Sequence, residues 1–213
     1  MASGTVNRLR RARKRHSLPA IFLSSFLAGG VLLSSAPAGA EDSSQQELSD
    51  IFARSQQYYS QSRPEQALEL LEQALQIIWN RVPLNIGQAH ILASPPLAAG
   101  QYQPRREARL RPQEPLALYM QPQGFKVRRQ EGMFLYSLST DFKLSDAWGR
   151  VVREQKDFSS FSGSEFSFPS RLPIVIIYNF SGLSPGNYRL ETTLRDLYGQ
   201  QKAVWATSFS IQP

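Results

Sequence analysis

The clearest structural signal in the chain is Leu183-Ser184-Pro185-Gly186-Asn187-Tyr188-Arg189-Leu190. Its first half consists of residues that favour tight turns, because proline fixes one backbone angle and glycine tolerates conformations that other residues avoid. From Tyr188 onward apolar and polar residues alternate as far as Leu194, which is the period of a strand with one buried face. The stretch therefore predicts a turn leading into a half-buried β-strand, with Gly186 and Tyr188 in structural roles.

Strand patterns recur on both sides of this stretch, separated by turns rich in Gly, Pro, Asp and Ser. We expect seven strands: Gln88–Ala93, Pro115–Gln121, Met133–Leu144, Arg150–Asp157, Pro173–Phe180, Asn187–Arg195 and Lys202–Ile211. Prolines interrupt residues 94–113, so that segment is predicted to be a loop or an irregular edge. Short strands at this spacing predict an antiparallel β-sandwich over residues 84–213.

Two of the predicted turns share the pattern Asp-x-aromatic-Gly: Asp146-Ala147-Trp148-Gly149 and Asp196-Leu197-Tyr198-Gly199. An aspartate can accept a hydrogen bond from the backbone of its own turn, and a glycine can supply the positive φ that closes a hairpin. The pattern therefore predicts structural rather than catalytic roles for Asp146, Gly149, Asp196 and Gly199.

The turn and strand at 183–190 resemble the E–F corner of immunoglobulin-like and fibronectin type III-like domains. A tyrosine at the start of a strand bonds back to the preceding turn in that corner, so the resemblance implies this role for Tyr188. In the order and spacing of the predicted strands, the resemblance extends from about Gln88 to Pro213. The chain has no cysteine, so the Cys–Trp–Cys core of antibody domains is absent. What the resemblance implies is a seven-stranded antiparallel immunoglobulin-like β-sandwich.

The hydrophobic period changes to three and four residues between Ser43 and about Val82, which predicts two amphipathic helices. Pro64 restarts the helical pattern, as proline does in a first helical turn. The first helix presents Leu48, Ile51, Phe52, Ser55, Tyr58 and Tyr59 on one face. We expect the second helix to bury Ala67, Leu68, Leu71, Ala74, Leu75 and Ile78. Residues 41–83 thus predict an antiparallel helical hairpin, and the fold class is α+β.

The helical positions Ser55, Tyr58, Ala67, Leu71 and Ala74 resemble the small and aromatic positions of a tetratricopeptide repeat. The resemblance covers about one repeat, whereas such repeats bury their faces by stacking on at least about two others. It therefore implies a single hairpin, packed on its neighbouring domain or on a second copy of the chain, rather than a solenoid.

Residues 1–40 have the order of a secretory signal peptide. A basic head from Arg8 to Arg15 precedes an apolar run from Leu18 to Leu33, and Ala38 and Ala40 then form a small-x-small cleavage site. We expect cleavage after Ala40 and a periplasmic or secreted bacterial protein. The alternative is a retained anchor, but a run of sixteen residues is shorter than the roughly 20 that a spanning helix needs. Cleavage would leave no membrane span.

The formal net charge of +7 comes largely from this leader. Six of the 24 basic residues and none of the 17 acidic residues lie within residues 1–40, which leaves 18 against 17. A nearly neutral mature chain gives no reason to expect nucleic acid as a partner.

The mature sequence offers little catalytic chemistry. Gly182-Leu183-Ser184-Pro185-Gly186 matches the hydrolase motif G-x-S-x-G, but a strand rather than a helix follows it. His90 stands alone in a strand pattern, where it has neither the partner of a catalytic base nor the co-ligands of a metal. We therefore expect no enzyme, no cofactor and no metal. The rival hypothesis is a hydrolase that uses two carboxylates, for which Glu154, Asp157 and Glu165 show no pairing in sequence.

A basic stretch in the proline-rich region is the first candidate binding surface. It contains Arg105, Arg106, Arg109 and Arg111 and would suit anionic lipid head groups, polyanionic glycans or an acidic protein face. Alternatively, these arginines pair with Glu114 or with the acidic helical hairpin.

The second candidate surface is the Phe-, Ser- and Gly-rich stretch 158–168, where Phe158 and Phe161 are the tentative binding residues. Rigid rings among small polar residues are typical of recognition surfaces. Alternatively, the stretch crosses between sheets and places Phe166 and Phe168 in the core.

Together these observations predict an exported, non-enzymatic binding or assembly module of the cell envelope. Its expected partner is an envelope protein or an anionic envelope polymer. A structural envelope subunit that forms homo-oligomers through the hairpin is the alternative.

Overall fold

The computed structural model describes residues 38–98 and 100–213. The predicted signal peptide lies outside the described residues apart from its last three, which are the first residues of a helix. Residues Gly39–Pro213 form one compact unit. Two helices precede a β-rich domain, so the α+β class is confirmed.

The helices are α1, Ala38–Ser60, and α2, Pro64–Trp79. Pro64 lies in the first turn of α2, where its missing N–H is not needed for the helical hydrogen bonds. The link between the helices is closed by the N–H of Arg63, which donates to the carbonyl of Tyr58 at 2.9 Å. Among the described residues, neither helix has the length and apolar character to cross a membrane.

The two helices share a small core of their own. Ile51, Leu70 and Ala74 are buried in it, with Leu48, Tyr58 and Ile77 packed at its border. The hydroxyl of Ser55 donates to the carbonyl of Ala67 at 3.1 Å and ties α1 to α2.

The predicted buried face of α2 is wrong at four of its six positions. Ala67 and Ala74 are buried as expected, but Leu70 accompanies them, while the other four side chains are exposed: Leu68, Leu71, Leu75 and Ile78. The physical reason is that the small alanines allow α1 to approach closely on their side of α2. The larger side chains then lie beyond the contact.

The β-rich domain has nine strands among the described residues. They are β1 Asn85–Ile91, β2 Arg109–Leu110, β3 Leu116–Gln123, β4 Arg128–Gln130, β5 Met133–Asp146, β6 Val151–Glu165, β7 Ile174–Tyr178, β8 Gly186–Asp196 and β9 Lys202–Ile211. The predicted count of seven is wrong because β2 and β4 are too short to show a period. β6 also continues through most of the stretch 158–168, beyond its predicted end at Asp157.

The strands form two sheets. One has the order β1-β3-β7, and the other has the order β2-β9-β8-β5, with β4 and β6 also paired to β5. Neighbours pair antiparallel except β2 and β9, which are parallel, so the prediction of a wholly antiparallel arrangement is wrong at this edge. There the chain leaves the proline-rich loop and runs alongside β9 in the same direction.

One buried cluster joins side chains from both sheets, including Leu118 and Ile176 of the first and Leu138 and Leu190 of the second. Trp79, at the end of α2, belongs to the same cluster. Its indole N–H donates to the carbonyl of Phe125 at 2.9 Å, and its ring meets those of Phe125 and Phe168 edge to face. This buried tryptophan anchors the helical hairpin to the β-rich domain.

Candidate interaction surfaces

Tyr188 lies at the start of β8, and its hydroxyl donates to the carbonyl of Ser184 at 2.8 Å. This is the bond that the resemblance to the E–F corner implies. Gly186, two residues before Tyr188, has a φ of 151°, and this backbone conformation favours glycine. The turn therefore has a structural role, and the serine of the G-x-S-x-G pattern contributes its carbonyl to it.

Both predicted Asp turns are present. One carboxylate oxygen of Asp146 accepts the N–H groups of Trp148 and Arg150, each at 3.0 Å, and Gly149 has φ of 80°. These bonds close the hairpin between β5 and β6.

In the second turn, buried Asp196 accepts the N–H of Tyr198 at 3.0 Å and that of Lys126 at 2.7 Å. The predicted positive φ at Gly199 is wrong, because the residue of this turn with a positive φ is Gln200, at 55°. Glycine is required at 199 because a Cβ there would overlap the Asp196 carboxylate.

Arg105 does not belong to a free basic surface. Its guanidinium pairs with Glu114 and donates to the carbonyls of Leu92, Ala93 and Arg109. Only 17% of its side chain is exposed. The alternative expectation of pairing with Glu114 therefore holds for this residue, which fastens the proline-rich loop to the domain.

The other three arginines are exposed. Arg109 pairs with Glu107 at 3.2 Å, and the backbone N–H of Arg111 donates to Glu114 at 2.8 Å. Burial would raise the pKa of Glu114, but the bonds from Arg111 and Arg105 outweigh it and hold that pKa below its usual value. Of the four arginines, only Arg106 and Arg111 have side chains without a hydrogen bond or ion pair to the described residues. The predicted basic surface of four arginines is therefore reduced to two unpaired guanidinium groups.

Phe158 and Phe161 of β6 are half-buried and pack against the main core. The ring of Phe158 stacks on that of Tyr178 at 5.1 Å. A register shift in the pairing of β6 with β5, opposite residues 155–159, lets both rings face the core, and their assignment as binding residues stays a prediction. Of the two phenylalanines expected in the core under the alternative, Phe168 contacts Trp79, whereas Phe166 is 88% exposed.

A groove of about 570 Å³ across β5, β6 and β8 is lined by three carboxylates: Asp141, Glu154 and Glu191. Asp141 pairs with Arg195 at 3.0 Å. The Lys143 ammonium lowers the pKa of Glu191 by a hydrogen bond. A hydrolytic acid needs a raised pKa, so Glu191 is unsuited to that role.

His90 lies on β1 opposite Tyr119, and the two rings stack with centroids 6.5 Å apart. Within residues 38–98 and 100–213, no group of three or more His, Asp or Glu side chains could hold a metal ion.

The helical periods did not predict one open apolar surface, here called the hairpin face. It consists of Leu68, Leu71, Leu75 and Ile78 on α2 with Phe52 and Tyr59 on α1. The four α2 side chains are between 38% and 58% exposed, and Tyr59 is 73% exposed. By the period of an α-helix, Phe52 and Tyr59 lie on the same open side of the antiparallel pair as the α2 residues.

An acidic border runs beside this face, because Glu65, Glu69 and Glu72 are exposed on α2 and α2 has no Lys or Arg. Near the β-rich domain, Glu69, Glu72 and Leu75 also line a groove that contains Arg129 of β4. A signal for the face was present in the sequence: nine of the sixteen residues of α2 are apolar. Apolar side chains therefore occupy a wider arc of the α2 surface than contact with one neighbouring helix can bury.

No family model matches the chain, and no curated protein is significantly similar to it. Among solved structures, the chain is similar to an alkylpurine DNA glycosylase of Pseudomonas fluorescens, with 11% identity and a TM-score of 0.35 over 82% of this chain. The chain covers 44% of that glycosylase.

Two other solved structures are similar at the same level. A superoxide reductase of Ignicoccus hospitalis has 5% identity and a TM-score of 0.32, over 60% of this chain and 82% of its own. An immunoglobulin-like protein of Pseudomonas aeruginosa has 15% identity and a TM-score of 0.30, over 62% and 98%. Likenesses this distant carry no argument about function.

Proposed function

We propose that the chain is an exported, non-enzymatic binding or assembly module of the cell envelope. It docks an amphipathic helix of an envelope protein on the hairpin face. The helices act as a single tetratricopeptide-like unit, and the β-rich domain is an immunoglobulin-like sandwich that holds them.

The hairpin face is the observation that carries this proposal. Six large apolar side chains on one side of a two-helix unit form the kind of exposed patch that marks a protein interaction site. Their spacing of three, four and seven residues suits the ridges of another helix, as in helix-in-groove recognition.

The acidic border indicates the chemistry of the partner helix. Glu65, Glu69 and Glu72 would attract Lys or Arg beside the apolar stripe of the partner, which adds specificity and speeds association. Two copies of this hairpin would instead bring acidic helices together, so self-association through this face is disfavoured by charge.

Other features support the remaining parts of the proposal. The order of charge and hydropathy in residues 1–40 supports export. The Tyr188 bond to Ser184 and the core common to both sheets support the sandwich. The ion pairs of Asp141 and Glu191 support a non-enzymatic role.

Leu71→Glu tests the proposal, with Gln57→Glu as its matched control on the far side of α1. Each variant adds one carboxylate at an exposed helical position, but only the first adds it to the hairpin face. We expect Leu71→Glu to lower capture of the envelope partner at least about tenfold, measured by quantitative cross-linking mass spectrometry. Gln57→Glu should bind like the unaltered protein, and circular dichroism should show that both variants are folded.

The cross-links should join the hairpin to a partner helix with an apolar stripe and basic flanks. Equal capture by both variants, or cross-links to an acidic or non-helical segment, would overturn the proposal. A dimer seen by light scattering that Leu71→Glu dissociates would assign the face to a second copy instead.

A further inference from the structure

We infer that the protein has a second binding site, for an oligosaccharide, in a cleft between α2 and the outer face of the first sheet. This amide cleft is lined by Gln88, Gln121, Gln123, Ser170 and Arg171, with Leu75 and Trp79 of α2 above them. Its volume of about 670 Å³ lies within the range of small-ligand sites.

The polar side chains of the cleft converge without satisfying one another. Gln88 and Gln121 are direct partners across β1 and β3, and Gln123 follows two residues along the same strand. The side chains of these three glutamines and of Arg171 make no hydrogen bond or ion pair to the described residues. Three amides and a guanidinium are therefore free to bond a ligand, and the amides offer both donors and acceptors.

The backbone is shaped to hold one of these amides. β1 has an irregularity between Ile86 and Gln88, and the residue between them is Gly87. A Cβ at that position would lie 2.8 Å from the side-chain amide carbon of Gln123. The glycine thus makes room for the Gln123 amide to lie across β1, and irregularities of this kind occur often next to binding sites.

Aromatic rings continue the same face of the sheet. His90 and Tyr119 form the next outward-facing cross-strand pair after Gln88 and Gln121. The ring of Tyr102 packs on that of Tyr119, with ring centroids 4.7 Å apart. Flat ring faces complement the apolar C–H faces of a pyranose, while the neighbouring amides complement its hydroxyls. From Gln123 to Tyr119 the row spans four residues of β3, roughly 13 Å at the rise of a strand.

Charge and position favour a sugar over other ligands. Arg171 is the only ionisable residue among those that line the cleft, whereas a nucleic acid or another phosphate polymer requires several cations. An extended peptide pairs through its backbone with a sheet edge. The cleft lies over the face of β1 and β3, and β1 presents its sheet edge on the side away from β3.

The double variant Gln121→Ala/Arg171→Ala tests this site, with Gln130→Ala/Arg106→Ala as a matched control. Both pairs remove one amide and one guanidinium, from positions that are exposed apart from the half-buried Gln121, but the control pair lies outside the cleft. The probes are a printed glycan array, followed by calorimetric titration of chitohexaose, cellohexaose and hexagalacturonate with the purified protein. We expect at least one glycan to bind and the cleft variant to weaken that binding about tenfold or more.

The control variant should bind like the unaltered protein. No binding to any glycan by folded protein, or equal binding by both double variants, would overturn the inference. Binding of an extended peptide alone would overturn it in favour of a peptide site. Leu71→Glu should leave glycan binding unchanged, so failure of the hairpin-face proposal and failure of this one are distinguishable.

Discussion

At the scale of single residues, the turn before β8 is closed by one side-chain hydrogen bond. The hydroxyl of Tyr188 donates to Ser184, and the Tyr188 ring packs against Phe209 with centroids 5.7 Å apart. The ring therefore contributes burial and the hydroxyl contributes the link to the turn. Removing only the hydroxyl separates these contributions.

We expect Tyr188→Phe to lower the free energy of unfolding by about 1 kcal/mol, because the ring still packs while the Ser184 carbonyl loses its donor. Urea denaturation followed by tryptophan fluorescence measures this value. Tyr59→Phe is the matched control, since Tyr59 is 73% exposed and should show no change. If the two variants had equal stability, the hydroxyl of Tyr188 would have no structural role.

At the scale of elements, α2 shows how one apolar arc serves two surfaces. Leu70 and Ala74 face α1, whereas Leu68 and Leu71 on the adjoining part of the arc face solvent. The helix therefore packs its hairpin with one half of the arc and leaves the other half for the proposed partner. The end of the same helix, at Trp79, anchors both to the β-rich domain.

Leucine-to-alanine changes on the two halves of this arc should differ in cost. Leu70→Ala removes a buried side chain and should destabilise the hairpin by roughly 2–3 kcal/mol. Leu68→Ala removes one that is 58% exposed and should change stability by less than about 0.5 kcal/mol. Hydrogen exchange of the α1 and α2 amides measures both, and a larger cost for Leu68→Ala would contradict the observed face.

At the scale of the whole molecule, several carboxylates are more acidic than usual in the folded state. Burial would raise the pKa values of Glu114 and Asp146, but hydrogen bonds from arginines and backbone N–H groups outweigh it and lower both. The bond from Lys143 lowers the pKa of Glu191. A folded-state pKa below the unfolded value stabilises the fold above the unfolded pKa, and that stabilisation is lost as pH falls through the folded pKa.

We therefore expect stability to change little between about pH 7 and pH 5 and to fall below about pH 4, where these carboxylates become protonated. Thermal unfolding at a series of pH values measures the fall. Glu114→Gln should make it shallower by removing one of the groups that titrate. Glu131→Gln removes the same charge at an exposed position that has no ion pair to the described residues, and it is the matched control for the loss of one carboxylate.

The sequence by itself determined the features that depend on near neighbours. The α+β class follows from the change of hydrophobic period, β9 was predicted over its observed range Lys202–Ile211, and both Asp turns and the Tyr188 bond form within four residues along the chain. Such features are readable because the groups that cause them are adjacent in the sequence.

Only the tertiary structure decided which surfaces are covered. It turned Phe158 and Phe161 inward through a register shift in the pairing of β6 with β5. It also gave Arg105 its carbonyl and carboxylate partners, and it left the hairpin face open by bringing α1 against the alanines of α2. It also brought the glutamines of β1 and β3 under the end of α2. The physical reason is that burial of a side chain depends on the distant element that packs against it, and an amphipathic period does not specify that element.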